Sequence, residues 1–433
     1  MNISPQVVRN FLVYAFGGSL GKAVALALMP ISWWYLTPAD FGLFALCNSF
    51  IMIIGIVVAF GLRQILWLEF YHKTSQERRA MVNDIIVLYL ALSLPVLGLL
   101  GISAPWITPW LFGVYPHIEL IFWVTLVHCF FVLFAELFTQ VLISQKRTHD
   151  MFWITVVSSV VLVIVSLALL THGVGVLGLL VGQLMSQLFI CVIGAWYYHK
   201  RRMIHEIEFK RVKILWKQYL FDGFPFIPSL ISVWVLNASN RWVLASFCTL
   251  TDVGIYATVE MVVTVFQLLL VRPFSQAYVP DFFERCATEQ CSTEQCAASA
   301  GQSQQIHVQH RRLLWTVLGG LTVLVTVGFF ALRSYALIIL PLAYRAAVPY
   351  TLAMAYSQIL YVGVAFNSCY IQFCKKTYFI SGSLVVTALI NLGLSIIGAR
   401  ACGLWGMMGA LLFSSIFYFM LTYWYDRYLQ RSI

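Results

Sequence analysis

Long apolar runs recur along almost the whole chain, separated by short segments that hold most of its charge, and this pattern restricts the sequence to one kind of fold. A helix needs roughly 20 mainly apolar residues to cross a bilayer. Runs of that order cover 11–35, 41–62, 81–102, 118–143, 152–170, 174–196, 219–246, 253–278, 313–331, 348–371, 378–397 and 403–425. In hydrocarbon the backbone must satisfy its own hydrogen bonds, which makes each run a helix. The expectation is an all-α, polytopic transmembrane protein of about twelve helices. Composition agrees, since 61% of the 433 residues are hydrophobic and 10% charged, whereas soluble domains are about a quarter charged. The first run is too long for a signal-peptide core and lacks a small-residue cleavage site, so helix 1 is expected to be the targeting anchor.

Charge placement orients the chain, because cytoplasmic loops collect Lys and Arg. With the N-terminus inside, twenty-two of the 27 basic residues fall on the inner side and four, Arg241, Arg333, Arg345 and Arg400, on the outer; Lys22 lies within helix 1. Both termini are therefore expected in the cytoplasm. The net charge of +10 is accounted for by juxtamembrane loops, which removes nucleic acid as a partner. The basic stretch 199–218 reads as a linker lying on anionic lipid headgroups.

Two internal echoes point to a duplication. Asp40-Phe41-Gly42-Leu43-Phe44-Ala45 follows helix 1, and Asp252-Val253-Gly254-Ile255-Tyr256-Ala257 follows helix 7. Each Asp is expected to cap its helix by accepting from free backbone N–H groups, with the Gly permitting close helix approach. Lys146-Arg147-Thr148 precedes Gly175-Val176-Leu177-Gly178 as Lys375-Lys376-Thr377 precedes Gly403-Leu404-Trp405-Gly406. The expected organisation is an N-terminal six-helix half (1–198), the basic linker (199–218) and a C-terminal half (219–433) carrying a flexible cytoplasmic loop at 281–310. Even-numbered halves run parallel about an axis normal to the membrane, with a central cleft.

The order of the motifs is that of a known group. Leu36 through Asp40-Phe41-Gly42-Leu43, Gly61-Leu62, Arg78-Arg79, Gly223-Phe224-Pro225-Phe226-Ile227-Pro228, Asn240-Arg241-Trp242, Ala277-Tyr278-Val279-Pro280 and Gly403-Leu404-Trp405-Gly406 together resemble the Wzx-type repeat-unit flippases of the multidrug/oligosaccharidyl-lipid/polysaccharide exporter superfamily. That family commonly has Asp-Arg where this chain has Asn240-Arg241. The resemblance implies a multi-pass protein of the bacterial inner membrane. It would move polyprenyl-pyrophosphate-linked glycans to the outer leaflet, with membrane lipids, a polysaccharide polymerase and a chain-length regulator as partners. No cofactor is expected, and the deep carboxylates make coupling to H+ or Na+ the expectation for energy input.

A pyrophosphate and its sugars need a polar, cationic path, and ionisable groups at depth are costly enough to mark one. Lys22 falls near the middle of helix 1; Arg272 and Gln276 lie toward the inner end of helix 8, with Arg63 at the corresponding level of helix 2. Arg241 departs from the positive-inside pattern, and Asn237 and Asn240 lie a turn apart beside it. These seven form the expected substrate path, against the alternatives of headgroup anchoring or interhelical bonding. Glu260, Glu136 and Asp222 are the candidates for ion coupling, against structural salt bridges, and Glu260 or Asp222 is also a possible partner for Lys22. Asp222 precedes the proline-broken stretch 225–228, a possible hinge.

Cys286, Cys291 and Cys296 repeat at five-residue intervals with His307 and His310 downstream, but four residues between cysteines meets zinc-site spacing only at its loose end, and no metal is expected. An integral-membrane polymerase or acyltransferase would need a large polar loop or an acid, base and nucleophile set, and neither is present, so the chain is expected not to be an enzyme. The remaining alternatives are a cation-coupled multidrug exporter, which Lys22 disfavours, and a lipid II flippase, whose fourteen-helix layout exceeds this chain.

Overall fold

The structure, a computed structural model, describes residues 27–113, 115–145, 147–200, 209–266, 282–283 and 300–431. After a helical segment at 27–32, the elements of the first part are α1 (Pro38–Ala59), α2 (Leu62–Glu69), α3 (Ser75–Ile102), α4 (Ala104–Phe112), α5 (Ile118–Ser144), α6 (Thr148–Thr171), α7 (Val176–Lys200), α8 (Phe209–Gly223) and α9 (Ile227–Trp234). A π-helical turn at Val235–Ser239 is followed by α10 (Asn240–Phe247), α11 (Leu250–Phe266), α12 (Ala300–Ile339), α13 (Val348–Phe373) and α14 (Thr377–Arg431). The described residues contain no strand. Eight described stretches are long and apolar enough to cross a membrane, and the longest, Thr377–Gln430, combines two runs across a break at Gly403 (φ 56°). The all-α polytopic expectation stands.

Contacts divide the chain into two compact units, Met1–Trp234 and Val235–Ile433. In the first unit α5 packs on α1, α3 and α7, and α6 packs on α7. Its core joins Leu62, Leu66, Met81, Ile85 and Tyr89 to Leu133, Phe138 and Leu142. In the second, α13 lies against α11, α12 and α14. Enclosed by other helices, α13 buries Ser357, Asn367 and Ser368.

Both halves of the first sequence echo fold alike. Thr37 N-caps α1, its Oγ1 accepting from Asp40 N at 3.2 Å while Asp40 Oδ2 accepts from Thr37 N at 2.9 Å. Ahead of α11, Thr249 Oγ1 accepts from Asp252 N at 3.2 Å and Asp252 Oδ2 from Thr249 N at 3.0 Å. Threonine is the cap, and each Asp is its reciprocal partner three residues on, a capping box, rather than the cap expected from sequence. The first box is tied further to the loop before α5, where Tyr115 donates to Asp40. Burial, and then that carboxylate, push the Tyr115 hydroxyl above the usual phenol range.

The second echo is equally concrete. Gly175 and Gly403 both take positive φ, 67° and 56°, at matching turns. After Gly403 the chain doubles back so closely that a Cβ on Gly406 would lie 2.0 Å from the Gly398 carbonyl oxygen. Small residues at such crossings let membrane helices pack, since lipid gives apolar side chains no incentive to leave it.

Helix 2 of the sequence reading, 41–62, ends as α1 at Ala59, where Phe60 (φ 44°) and Gly61 (φ 75°) turn the chain into α2. Helix 7 is broken at Phe224–Phe226, a 3-10 turn, and again at the π turn. Pro225 and Pro228 account for the first interruption, each removing a backbone donor. The two breaks meet: a Cβ on Gly61 would lie 2.4 Å from the Gly223 carbonyl oxygen. Helix α12 begins at Ala300, thirteen residues before the apolar run expected at 313, because Ala, Gln and Arg favour helix as well as apolar residues do.

Candidate functional site

One inter-helix ion pair stands in each unit among the described residues. In the first unit, the break at Phe60 and Gly61 starts α2 against α5. There Arg63 Nη1 donates to Glu136 Oε2. The side chains remain 35% and 53% accessible, so a third group can reach both. Nearby in the chain of contacts, α3 packs on α8, where the Tyr219 hydroxyl donates to Asp84 Oδ2 at 3.3 Å.

In the second unit, Arg241 on α10 grips Glu260 on α11 with two nitrogens on one oxygen: Nε at 3.1 Å and Nη2 at 2.7 Å from Oε2. These side chains are 17% and 25% accessible. Beside them Asn240, fully buried, donates through Nδ2 to the Tyr256 hydroxyl at 3.1 Å and accepts at Oδ1 from Ser395 Oγ at 3.1 Å. One asparagine therefore links α10, α11 and α14. Farther along α14, Asn391 Nδ2 donates to Ser414 Oγ at 2.9 Å, and Asn367 of α13 donates to Thr422 at 3.3 Å. Interhelical amide and hydroxyl bonds of this kind hold helices where water is absent.

The sequence reading and the structure differ in grouping. Arg63 was placed on the substrate path and Glu136 in ion coupling, and the structure brings the two together; it does the same with Arg241 and Glu260. Asn237 and Asn240 do not share a face: Asn237 is exposed and Asn240 buried, because the π turn adds a residue between the helical repeats. Asp222 is half-buried at the end of α8, beside the Gly61–Gly223 contact, and has no hydrogen-bond or ion-pair partner among the described residues. Lys22, Arg272, Gln276, Cys286, Cys291 and Cys296 lie outside the described residues. Asp84, 4% exposed, was missed, although adjacent Asn83 and Asp84 within an apolar run were a visible signal.

Chemically, a guanidinium held by a carboxylate is a stored cation. Its planar fork matches a phosphate as well as it matches a carboxylate, so an anionic ligand arriving at Arg63 competes for donors that Glu136 otherwise accepts from. The carboxylate so released is then free to bind a proton or a cation.

The sequence profile of a family described as polysaccharide biosynthesis protein matches residues 7–285. No curated protein matches the chain. Among solved structures, it is similar to the lipid II flippase MurJ in an inward closed conformation, at 12% identity and TM-score 0.72, over 96% of this chain and 87% of that one. It is also similar to an inward-facing multidrug resistance MATE family transporter of the MOP superfamily, at 13% identity and TM-score 0.70, over 94% of both chains. A mutant of the Vibrio cholerae MATE transporter VcmN gives 14% identity and TM-score 0.60, over 95% of this chain and 98% of that one. The fold is thus that of a multi-pass membrane transporter.

Proposed function

From the premise that this chain belongs to the polysaccharide biosynthesis protein family, we propose that it flips polyprenyl-pyrophosphate-linked oligosaccharide repeat units from the cytoplasmic to the outer leaflet of a bacterial inner membrane. The family match carries this reading. Support comes from the MurJ-like fold and from an accessible cation, Arg63, at the membrane-spanning helices. The TM-scores to MurJ and to the MATE transporter are 0.72 and 0.70, so the fold alone does not choose between lipid and drug cargo; the polysaccharide biosynthesis family match favours a glycan-bearing cargo.

In this reading the pyrophosphate takes Arg63 from Glu136, and Glu136, stripped of its partner, picks up H+ or Na+. Release of the lipid in the outer leaflet lets the pair re-form and returns the ion. Arg241 and Glu260 form a second pair of the same chemistry, with Lys22, Arg272, Gln276 and Asn237 as further contacts along the path and Asp222 as a further ion ligand. Alternating access supplies the motion, and the broken helices at Gly61 and Gly223 supply places to bend. The product is what a surface-polysaccharide polymerase and its chain-length regulator consume. Removing the protein from its host tests this: lipid-linked repeat units should accumulate on the cytoplasmic side while surface polysaccharide disappears. Undiminished surface polysaccharide, with no such accumulation, would overturn the assignment.

A further inference from the structure

One buried carboxylate of the second unit belongs to neither ion pair. Asp426, near the C-terminal end of α14, is 3% exposed, and its Oδ2 accepts from Gln430 Nε2 at 2.7 Å, one turn on. Its Oδ1 has no hydrogen-bond partner, and the carboxylate no ion-pair partner, among the described residues. The charged and titratable groups around it are engaged elsewhere or uncharged. Arg427, next along the helix, lies over the Tyr423 ring at 5.9 Å from its centre, and Lys376 lies against Tyr378 at 6.0 Å. His310 of α12 packs against the rings of Phe282 and Phe366. Lys375, and Arg311 and Arg312 of α12, make no ion pair with Asp426. Cys374, just past α13, is the titratable side chain that faces it from a neighbouring element.

An unpaired charge taken out of water is costly, so this carboxylate marks a place for a positive charge. A hard metal ion takes about six oxygen ligands, whereas the cluster at this end, Cys369, Tyr370, Phe373, Cys374 and Leu429, offers sulfur, rings and hydrocarbon. A proton needs one oxygen. Asp426 also stands at the end of a buried polar stripe: Ser415, Tyr418, Thr422 and Asp426, all buried, recur at three- and four-residue spacing on one face of α14. Asn367 of α13, fully buried, donates through Nδ2 to Thr422 at 3.3 Å and leaves its Oδ1 without a partner. Thr422 and Asp426 are one turn apart, about 6 Å, a gap that one buried water spans. Protonation turns Asp426 Oδ1 from a second unmet acceptor into the donor that Asn367 Oδ1 lacks. We propose that Asp426 is a proton-binding residue of the transport cycle. The proton comes from water at the C-terminal end of α14, the side expected to be cytoplasmic, and bonds to Oδ1, converting carboxylate to carboxylic acid; it returns to water when that bond breaks. The inference rests on the ion-coupled transport proposed above, and it adds a proton site that neither arginine-held carboxylate supplies.

The test uses the full-length protein in nanodiscs and infrared difference spectra recorded through a pH titration, with no glycan present. The wild type should show a protonated-carboxyl C=O band that disappears as pH rises; the band should be missing in Asp426→Asn and move in frequency in Asp426→Glu. Gln430→Leu removes the donor to Oδ2, which favours the ionised form, so the midpoint of the band should rise by about one pH unit. In vesicles, the stimulation of glycan export by a pH gradient should fall at least tenfold in Asp426→Asn and return in Asp426→Glu. Identical titrating bands in Asp426→Asn and wild type, or unchanged gradient stimulation in Asp426→Asn, overturn the proposal. Gln430→Leu keeps the carboxyl and keeps the test decisive if Asp426→Asn does not fold, since an unmoved midpoint also overturns it. Because the band needs no substrate, the outcome separates from the function: a protein required for glycan export in which Asp426 does not titrate refutes the proton site alone. A titrating Asp426 in a protein dispensable for export refutes the flippase reading instead.

Discussion

Breaking the Arg241–Glu260 pair should expose a coupling that neither residue shows alone. The pair has two charge-assisted bonds, at 3.1 and 2.7 Å, converging on one carboxylate oxygen. Bonds to charged groups contribute about 1.5–3 kcal/mol net each. Because both fall on one oxygen, and because the side chains keep 17% and 25% of their surface accessible, the low end of a single-bond-to-pair range applies, about 2 kcal/mol. That corresponds to roughly 30-fold in an equilibrium constant. Glu260→Gln should destabilise by about 3 kcal/mol, since it leaves a guanidinium between helices without its counter-charge. Arg241→Met should cost a similar amount, for the mirror-image reason. The double variant should then be about 2 kcal/mol more stable than the sum of the singles implies. Reversible unfolding in mixed micelles with increasing dodecyl sulfate, followed by tryptophan fluorescence, measures all four proteins. Additivity within about 0.5 kcal/mol would refute the pair as an energetic unit.

Other perturbations follow from single contacts. Asn240→Leu should destabilise by about 2–4 kcal/mol, because it strands the buried Tyr256 and Ser395 hydroxyls; the same unfolding assay reads it, and Asn240→Asp should be milder. Gly406→Ala places a methyl group 2.0 Å from the Gly398 carbonyl oxygen, and overpacking of this severity should cost about 3 kcal/mol, seen as loss of folded protein from the membrane fraction. On the functional side, Arg63→Gln should lower glycan export about tenfold or more, with Arg63→Lys partly restoring it, since a charge-assisted contact is worth at least about 1.5 kcal/mol. Glu136→Gln should remove the dependence of export on an ion gradient while the protein remains in the membrane, and unchanged gradient dependence would remove Glu136 from coupling.

The parts of this fold that were legible in sequence are those set by local chemistry. Apolar run length identifies spanning helices, and the Thr37–Asp40 and Thr249–Asp252 boxes and the glycines at 175 and 403 mark equivalent turns because each feature acts within a few residues. What sequence missed is non-local. Arg63 and Glu136 are 73 residues apart, and their meeting depends on the break at Phe60 and Gly61, which no propensity scale marks at phenylalanine. Arg241 and Glu260 are 19 apart, but which face Arg241 presents depends on the π turn before it, and that same turn separates Asn237 from Asn240. The burial of Ser357, Asn367 and Ser368 of α13 by its neighbours was likewise invisible to hydropathy, which reads a helix's own residues and not those around it.

The central claim is movement of an anionic, lipid-linked glycan across a bilayer, and reconstitution measures it most directly. Purified protein in liposomes carrying a radiolabelled undecaprenyl-pyrophosphate-linked oligosaccharide would be probed with an external glycosidase that cannot cross the membrane. Without protein, only the glycan of the outer leaflet should be cleaved; with it, nearly all should become cleavable, and Arg63→Gln should slow the conversion about tenfold. Cleavage that stops at the outer-leaflet fraction in intact, wild-type proteoliposomes, under both H+ and Na+ gradients, would contradict the account.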